Sequence, residues 1–191
     1  LATLILPDRM TNYAKTMLHI AEERGELPVW HLMGCETYCM VGCPGIPVLA
    51  DLILKGVKGF DYETAYQALR ASMLKPNRGK HYLEELGSLP YDGTEGETVA
   101  KNLEYFLAEW SVAQVAGLLG HKQDSIHFAS IAQNYKKLFD PRVRCMRALS
   151  KDGKFRSIEG FNPGHQTGEY TEGNPEPVCY DPIEGPCYDS G

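Results

Sequence analysis

The segment Glu169-Tyr170-Thr171-Glu172-Gly173-Asn174 places a carboxyl group between an aromatic residue and a glycine. A loop of this composition can hold the carboxyl group of Glu172 in an apolar pocket. Burial there raises the pKa of a carboxyl group, so that it stays protonated and can act as a general acid. The same residues also suit a solvent-exposed loop. The local sequence alone favours the exposed loop.

Trp30 and the pair Glu36-Thr37 form a second candidate site near the start of the chain. An indole beside a carboxylate could stack on a sugar ring while the carboxylate hydrogen-bonds the sugar hydroxyls. In the alternative interpretation, Trp30 fills the core and Glu36 stabilises the N-terminus of a helix. Taken alone, this stretch favours the structural alternative.

Two groups of residues could in principle bind metal. Asp92, Glu95 and Glu97 suggest calcium, but the ligand pattern of an EF-hand is absent, and a solvated helix start fits better. Three cysteines follow one another at steps of four, namely Cys35, Cys39 and Cys43. They could form a metal or redox cluster. No fourth ligand has a zinc-site spacing, so we expect them on the buried face of a helix.

The composition is that of a globular domain. Of 191 residues, 43% are hydrophobic and 23% are charged, and the formal net charge is -6. No cluster of Lys or Arg offers a face for nucleic acid, and no run of about 18 apolar residues predicts a membrane helix. The chain begins at Leu1 without a signal-peptide pattern. We therefore expect it to be a piece of a longer protein.

Helices must position these side chains, because apolar residues recur at steps of three and four along most of the chain. The spacing predicts helices over residues 8–24, 36–55 with a kink at the prolines, 61–73, 94–120 and 122–138, with a short turn at 81–86. Gly25 is expected to end the first of these helices, and Asp61 to cap the third. The pair Asp152-Gly153 predicts a β-hairpin near residues 146–158. From residue 160 the composition is loop-like, and residues 175–191 form a Pro- and Gly-rich tail.

The helix over residues 94–120 is predicted to be the central one. Its expected apolar stripe consists of Val99, Leu103, Phe106, Leu107, Trp110, Ala113, Val115 and Leu118. The polar residues Lys101, Asn102, Glu104 and Glu109 are expected mostly on the opposite side. Thr94 and Glu97 have the spacing of a capping box, and Gly120 is expected to end the helix.

The order of several motifs resembles that of glycoside hydrolase family 92, the calcium-dependent α-mannosidases. The motifs are Gly25-Glu26-Leu27-Pro28-Val29-Trp30, Gly34-Cys35-Glu36-Thr37 with Met40-Val41-Gly42, Ala50-Asp51 with Lys55-Gly56, Leu103-Glu104-Tyr105 with Trp110, Asn134-Tyr135 with Leu138-Phe139-Asp140-Pro141, and Tyr170-Thr171-Glu172-Gly173-Asn174. They occur in the order found in the family. The resemblance extends from about residue 4 to residue 174.

The resemblance implies an all-α fold, part of an (α/α)6 barrel, over residues 1–174. It implies the inverting hydrolysis of terminal α-linked mannose from N-glycans and other mannose-containing glycans. By position, Glu172 matches the family's general acid, Trp30 a sugar-contacting aromatic, and Glu36 with Thr37 a pocket-lining pair. It also implies a calcium cofactor and a secreted or periplasmic location.

The sequence departs from the family pattern at two places. Asn174 is followed by Pro175-Glu176-Pro177-Val178 instead of an aromatic-Gln segment, and Pro44 replaces a usual histidine. The family's base, most calcium ligands and the N-terminal β-sandwich domain match nothing in these residues. We therefore expect the chain to be inactive alone. The alternative is a non-catalytic helical module that binds a glycan or a protein.

Overall fold

The computed structural model describes residues 2–157, and helices dominate them. The helices are α1 (Ala2–Ile5), a 3₁₀ turn (Pro7–Arg9), α2 (Met10–Arg24), α3 (Gly45–Leu54), α4 (Tyr62–Leu74), α5 (His81–Glu85), α6 (Thr98–Leu119), α7 (Lys122–Ala132) and α8 (Tyr135–Leu138). The strands are β1 (His31–Leu32), β2 (Cys35–Glu36), β3 (Phe139–Asp140) and β4 (Cys145–Met146). The prediction of an all-α fold with a small hairpin is confirmed.

The core forms around α6, which packs against α7, α3 and α4. Val99, Tyr105, Val112 and Val115 on α6 are fully buried, and Leu49 of α3 meets them in the same core cluster. Burial of a large apolar side chain stabilises a fold by about 1.5–3 kcal/mol relative to its exposure. The prediction that α6 is the central helix is therefore confirmed.

Local signals placed several helix ends correctly. Gly25 follows α2 with φ 74°, and Gly120 follows α6 with φ 88°, in the left-handed conformation that glycine adopts most readily. Asp61 precedes α4, and its Oδ1 accepts a hydrogen bond from the backbone N–H of Thr64 at 2.7 Å. This bond satisfies one of the unpaired amides of the first helical turn.

The prediction of one kinked helix over residues 36–55 is wrong in its first half. Residues 31–36 form an antiparallel hairpin instead, and the helix begins only at Gly45. Cys35 lies in β2 and Cys39 in the following loop, where both are exposed, while Cys43 alone is buried. The expected helical row of three cysteines does not exist, because residues 35–43 form a strand and a loop and no helix.

The predicted start and faces of α6 also need correction. The helix begins at Thr98, and Glu97 precedes it in a left-handed conformation with φ 53°, so Thr94 and Glu97 do not form the expected capping box. Leu107, Trp110 and Leu118 of the predicted buried stripe are about half exposed. The side chains of Lys101, Asn102 and Glu109, expected on the outer side, are buried.

Buried partners explain this reversal for Lys101 and Asn102. Lys101 Nζ lies 2.9 Å from Glu95 Oε2. The side chain of Asn102 accepts from Leu89 N at 2.8 Å and donates to Leu89 O at 2.9 Å. A polar side chain is stable inside a protein when such bonds replace water. The loop before the helix supplies all of these partners.

The segment after α6 contains two helices instead of the single one predicted over residues 122–138. Strands β3 and β4 then pair, with Phe139 opposite Met146. The hairpin predicted around Asp152-Gly153 is present as one antiparallel bridge between Leu149 and Phe155, and Gly153 has φ 72°. The N–H of Tyr91 donates to Leu149 O at 2.9 Å, which ties this hairpin to the loop before α6.

Glu172 and the predicted tail at residues 175–191 lie outside the residues that the structure describes. Among residues 2–157, none of the helices is both long enough and apolar enough to cross a membrane.

Candidate functional site

The hairpin at residues 31–36 carries the first candidate site. Its register pairs His31 with Glu36 and Leu32 with Cys35. Met33 and Gly34 form the two-residue turn, with φ of 52° and 82°. Positive φ at both positions matches the twist of a tight hairpin, and glycine accepts this conformation without strain. Trp30 and Thr37 directly flank the two strands, so they lie opposite each other at the open end of the hairpin.

The carboxylate of Glu36 closes this end of the hairpin. Its Oε1 accepts hydrogen bonds from the backbone N–H groups of Trp30 at 2.8 Å and Tyr38 at 2.9 Å. Its Oε2 accepts from Val29 N at 2.8 Å, and Nε2 of His31 lies 3.3 Å away. The Glu36 side chain is only 1% exposed. Desolvation alone would raise its pKa, but these backbone N–H groups lower it, so the group stays ionised.

Trp30 presents its indole to solvent on this fixed backbone. The residue is 47% exposed. Its carbonyl oxygen accepts two hydrogen bonds from Thr37, one from the backbone N–H at 3.1 Å and one from Oγ1 at 2.9 Å. Trp30 is therefore not the core plug of the alternative interpretation. A half-exposed, well-anchored indole is a suitable platform for an apolar sugar face.

A buried cluster of polar and charged side chains around Glu26 contacts the loop that follows the hairpin. Glu26 is buried, and its carboxylate accepts hydrogen bonds from the hydroxyl of Tyr38, from Lys75 Nζ at 2.8 Å and from Asn77 Nδ2 at 3.2 Å. Desolvation alone would raise the pKa of Glu26, but hydrogen bonds from Lys75, Tyr38 and Asn77 lower it. The loop that follows Glu36 is thereby tied to the end of α4.

Arg78 fixes the remainder of this loop. Its guanidinium donates to the carbonyl oxygens of Met40 and Gly42, the latter at 2.7 Å, and it lies 5.4 Å from the centre of the Tyr38 ring. The hydroxyl of Tyr105 on α6 donates to Arg78 O at 2.8 Å. Sequence reasoning missed Lys75 and Arg78, because nothing in their local sequence distinguishes them from surface cations. Glu26 stands out in the sequence only as part of the motif Gly25-Glu26-Leu27-Pro28-Val29-Trp30.

Comparison with known proteins identifies the family. The glycosyl hydrolase family 92 catalytic domain matches residues 1–180. The chain belongs to glycosyl hydrolase family 92. Among solved structures, it is similar to the family GH92 α-mannosidase from Bacteroides thetaiotaomicron in complex with mannoimidazole, with 36% identity and a TM-score of 0.74. That match covers 81% of this chain and 20% of the other chain.

A second structure supports the same family fold. The family GH92 inverting mannosidase from Bacteroides thetaiotaomicron VPI-5482 has 28% identity and a TM-score of 0.71, and the match covers 78% of this chain and 21% of that chain. The family-92 chain therefore spans about one fifth of the length of these structures. Its helices correspond to a part of their helical barrel, as the sequence predicted. No curated protein matched the chain.

The described residues of this family-92 chain do not form the calcium site that the family resemblance implies. Within residues 2–157, no three His, Cys, Asp or Glu side chains lie together in a way that could hold a metal ion. Two acidic residues of the segment before α6 bind other residues of the same chain. Asp92 Oδ1 accepts from Lys151 N at 2.8 Å, and Glu95 pairs with Lys101.

Proposed function

We propose that this chain supplies one wall of the mannose-binding pocket and the proton donor of an α-mannosidase that acts with inversion. The observation that carries the proposal is the half-exposed indole of Trp30, held by Glu36 and Thr37 in a chain of glycosyl hydrolase family 92. The relatives described as α-mannosidase and inverting mannosidase support this substrate and this stereochemistry.

In the proposed reaction, Trp30 stacks on the terminal mannose, and Glu36 with Thr37 belongs to the same pocket wall. Glu172 protonates the glycosidic oxygen as the bond from that oxygen to the anomeric carbon breaks. A second carboxylate takes a proton from water, whose oxygen attacks the anomeric carbon from the opposite face. The two carboxyl groups of an inverting glycosidase stand roughly 6.5–9.5 Å apart to leave room for this water.

We assign the second carboxylate to a part of the protein beyond these 191 residues, together with most calcium ligands and a β-sandwich domain. The chain spans only about one fifth of the related mannosidases, which supports this assignment. One carboxylate cannot both protonate the leaving oxygen and activate water across the ring. The 191-residue chain alone should accordingly release no mannose.

Proton NMR of the complete protein acting on an α-linked mannobioside tests the proposal. Inversion requires that the first mannose released is the β-anomer, before mutarotation mixes the two forms. Initial release of α-mannose would contradict the inverting mechanism. Saturable binding of the glycan by the complete protein without any hydrolysis would instead favour a non-catalytic glycan-binding module.

A further inference from the structure

The hydrogen-bonding capacity of Glu36 is already used inside the protein. A carboxylate has about four acceptor sites on its two oxygens. Three of them are taken by backbone N–H groups at 2.8–2.9 Å, and the imidazole of His31 lies 3.3 Å from Oε2. With the side chain 1% exposed, a sugar hydroxyl has no access to the acceptor site of Glu36 that the backbone leaves over.

Glu36 and Thr37 instead hold both polar groups of the Trp30 backbone. Glu36 accepts from the N–H of Trp30, and Thr37 donates twice to its carbonyl oxygen. These bonds fix the backbone on either side of the Trp30 α-carbon, so only the two side-chain torsions of the indole remain free. Ordering a binding group before the ligand arrives lowers the entropic cost of binding.

We infer that Glu36 and Thr37 are positioning residues, which act on the sugar through the indole of Trp30 and not by direct hydrogen bonds. This inference rests on the proposed function of the site. It assigns the recognition of the apolar sugar face to Trp30 alone on this hairpin. The hydroxyl groups of the sugar are then recognised by side chains other than Glu36 and Thr37.

A double-mutant cycle in the complete protein tests the inference, with KM and kcat measured for an aryl α-mannoside. Trp30→Ala should raise KM about tenfold, which corresponds to about 1.4 kcal/mol. Thr37→Val removes one hydrogen bond at nearly constant shape and should raise KM about fivefold, with a smaller effect on kcat. Thr37→Ser keeps the hydroxyl and should restore the wild-type KM.

The decisive comparison uses the Trp30→Ala background. If Glu36 and Thr37 act through the indole, Glu36→Gln and Thr37→Val should change KM there by no more than about twofold. Full additional losses in that background would mean direct contact with the sugar and would overturn the inference. If Glu36→Gln does not fold, the Thr37→Val and Thr37→Ser pair decides by the same criterion.

Fluorine NMR of the complete protein labelled with 5-fluorotryptophan separates this inference from the proposed function. The Trp30 signal is the one absent from Trp30→Phe. It should shift or broaden in Thr37→Val and in Glu36→Gln, and it should keep its wild-type position in Thr37→Ser. If the wild type hydrolyses no α-mannoside, the proposed function fails. Independently of that result, an unchanged Trp30 signal in Thr37→Val would overturn the positioning role.

Discussion

Glu109 is an ionisable residue whose side chain is buried on α6. It is 2% exposed, and its Oε2 has no hydrogen-bond partner among the described residues. Burial, with a smaller contribution from the charge of Glu84, raises the pKa of Glu109 to about 8, and Lys80 acts in the opposite direction. The carboxyl group is consequently neutral at pH 7, which avoids the cost of an unpaired buried charge.

The raised pKa makes the contribution of Glu109 to stability depend on pH. Between about pH 4.5 and pH 8, the folded state keeps a proton that the unfolded state has lost. The free energy of unfolding therefore falls as the pH rises through this window, by up to about 1.4 kcal/mol per pH unit. Glu109→Gln removes this dependence and should melt above the wild type near pH 8.

Melting temperatures of the complete protein and the Glu109→Gln variant, measured at about pH 5 and about pH 8, check this prediction. The difference between the two proteins should grow in favour of the variant as the pH rises. Glu104→Gln is the control, because burial raises the pKa of Glu104 to a smaller extent. A difference for Glu109→Gln that does not change with pH would mean that Glu109 is ionised in the folded state.

The assignment of Glu172 as proton donor predicts a dependence on the leaving group. In the complete enzyme, Glu172→Gln should reduce turnover most for mannosides with poor leaving groups, whose glycosidic oxygen needs the proton. Removal of the general acid should lower turnover of these substrates by about 10²-fold or more. An activated aryl mannoside needs the proton less, so its turnover should fall by a smaller factor. Kinetics on both substrates provide the test.

Glu169→Gln is the matched control for this variant, since Glu169 lies in the same segment three residues before Glu172. Its effect should be mild on both substrates. Equal losses on the two substrate types for Glu172→Gln, or a larger loss for Glu169→Gln, would place the acid elsewhere.

At the scale of elements, the turn after α6 depends on one glycine. Gly120 has φ 88°, and its N–H donates to carbonyl oxygens of the last helical turn. A Cβ at this position would meet no atom within 4 Å, so a substitution is penalised by backbone conformation alone. Gly120→Ala should lower the free energy of unfolding by about 1 kcal/mol.

Chemical denaturation of the complete protein measures this loss, and Gly120→Asn provides the control. Asparagine tolerates the left-handed conformation better than alanine, so it should be less destabilising. An alanine variant as stable as the wild type would show that α6 and α7 can be joined without a left-handed residue.

Elements with local signals could be predicted from the sequence, and elements defined by distant partners could not. Gly25, Asp61 and Gly120 mark helix ends through their own backbone conformation or side chain, and the structure confirms each of them. The hairpin at residues 31–36 depends on Glu36 binding three backbone N–H groups. A glutamate favours helices on average, so its local sequence indicated the wrong element.

The buried face of α6 illustrates the same limit. Apolar periodicity placed Trp110 inside and Asn102 outside, because it treats every polar residue as a surface residue. Asn102 is buried since it pairs with both backbone groups of Leu89, thirteen positions earlier. The candidate site could likewise be located from the family motifs around Trp30, while its support by Lys75 and Arg78 depends on tertiary contacts.

At the scale of the whole molecule, several apolar grooves lie on the surface of the described residues. One of about 730 Å³ runs between α2 and α4, past Leu18 and Phe60. Another of about 420 Å³ lies between α2 and α3. A third of about 320 Å³ is lined by Leu103, Phe106, Leu107, Trp110, Ala132, Gln133 and Tyr135. Helix faces of this kind favour association when nothing covers them.

We therefore expect the isolated 191-residue chain to form oligomers or aggregates. In sedimentation velocity, its weight-average mass should exceed the 21.3 kDa of a monomer and rise with concentration.

Leu107 and Trp110 are about half exposed in the third groove, so the double variant Leu107→Gln/Trp110→Gln should shift the distribution toward the monomer. Ile126→Gln is the control, since Ile126 is exposed but lies outside this groove, and it should change the distribution little. A wild-type chain that sediments as a clean monomer and unfolds in one sharp transition would show that these grooves are too shallow or too polar at their rims to drive association.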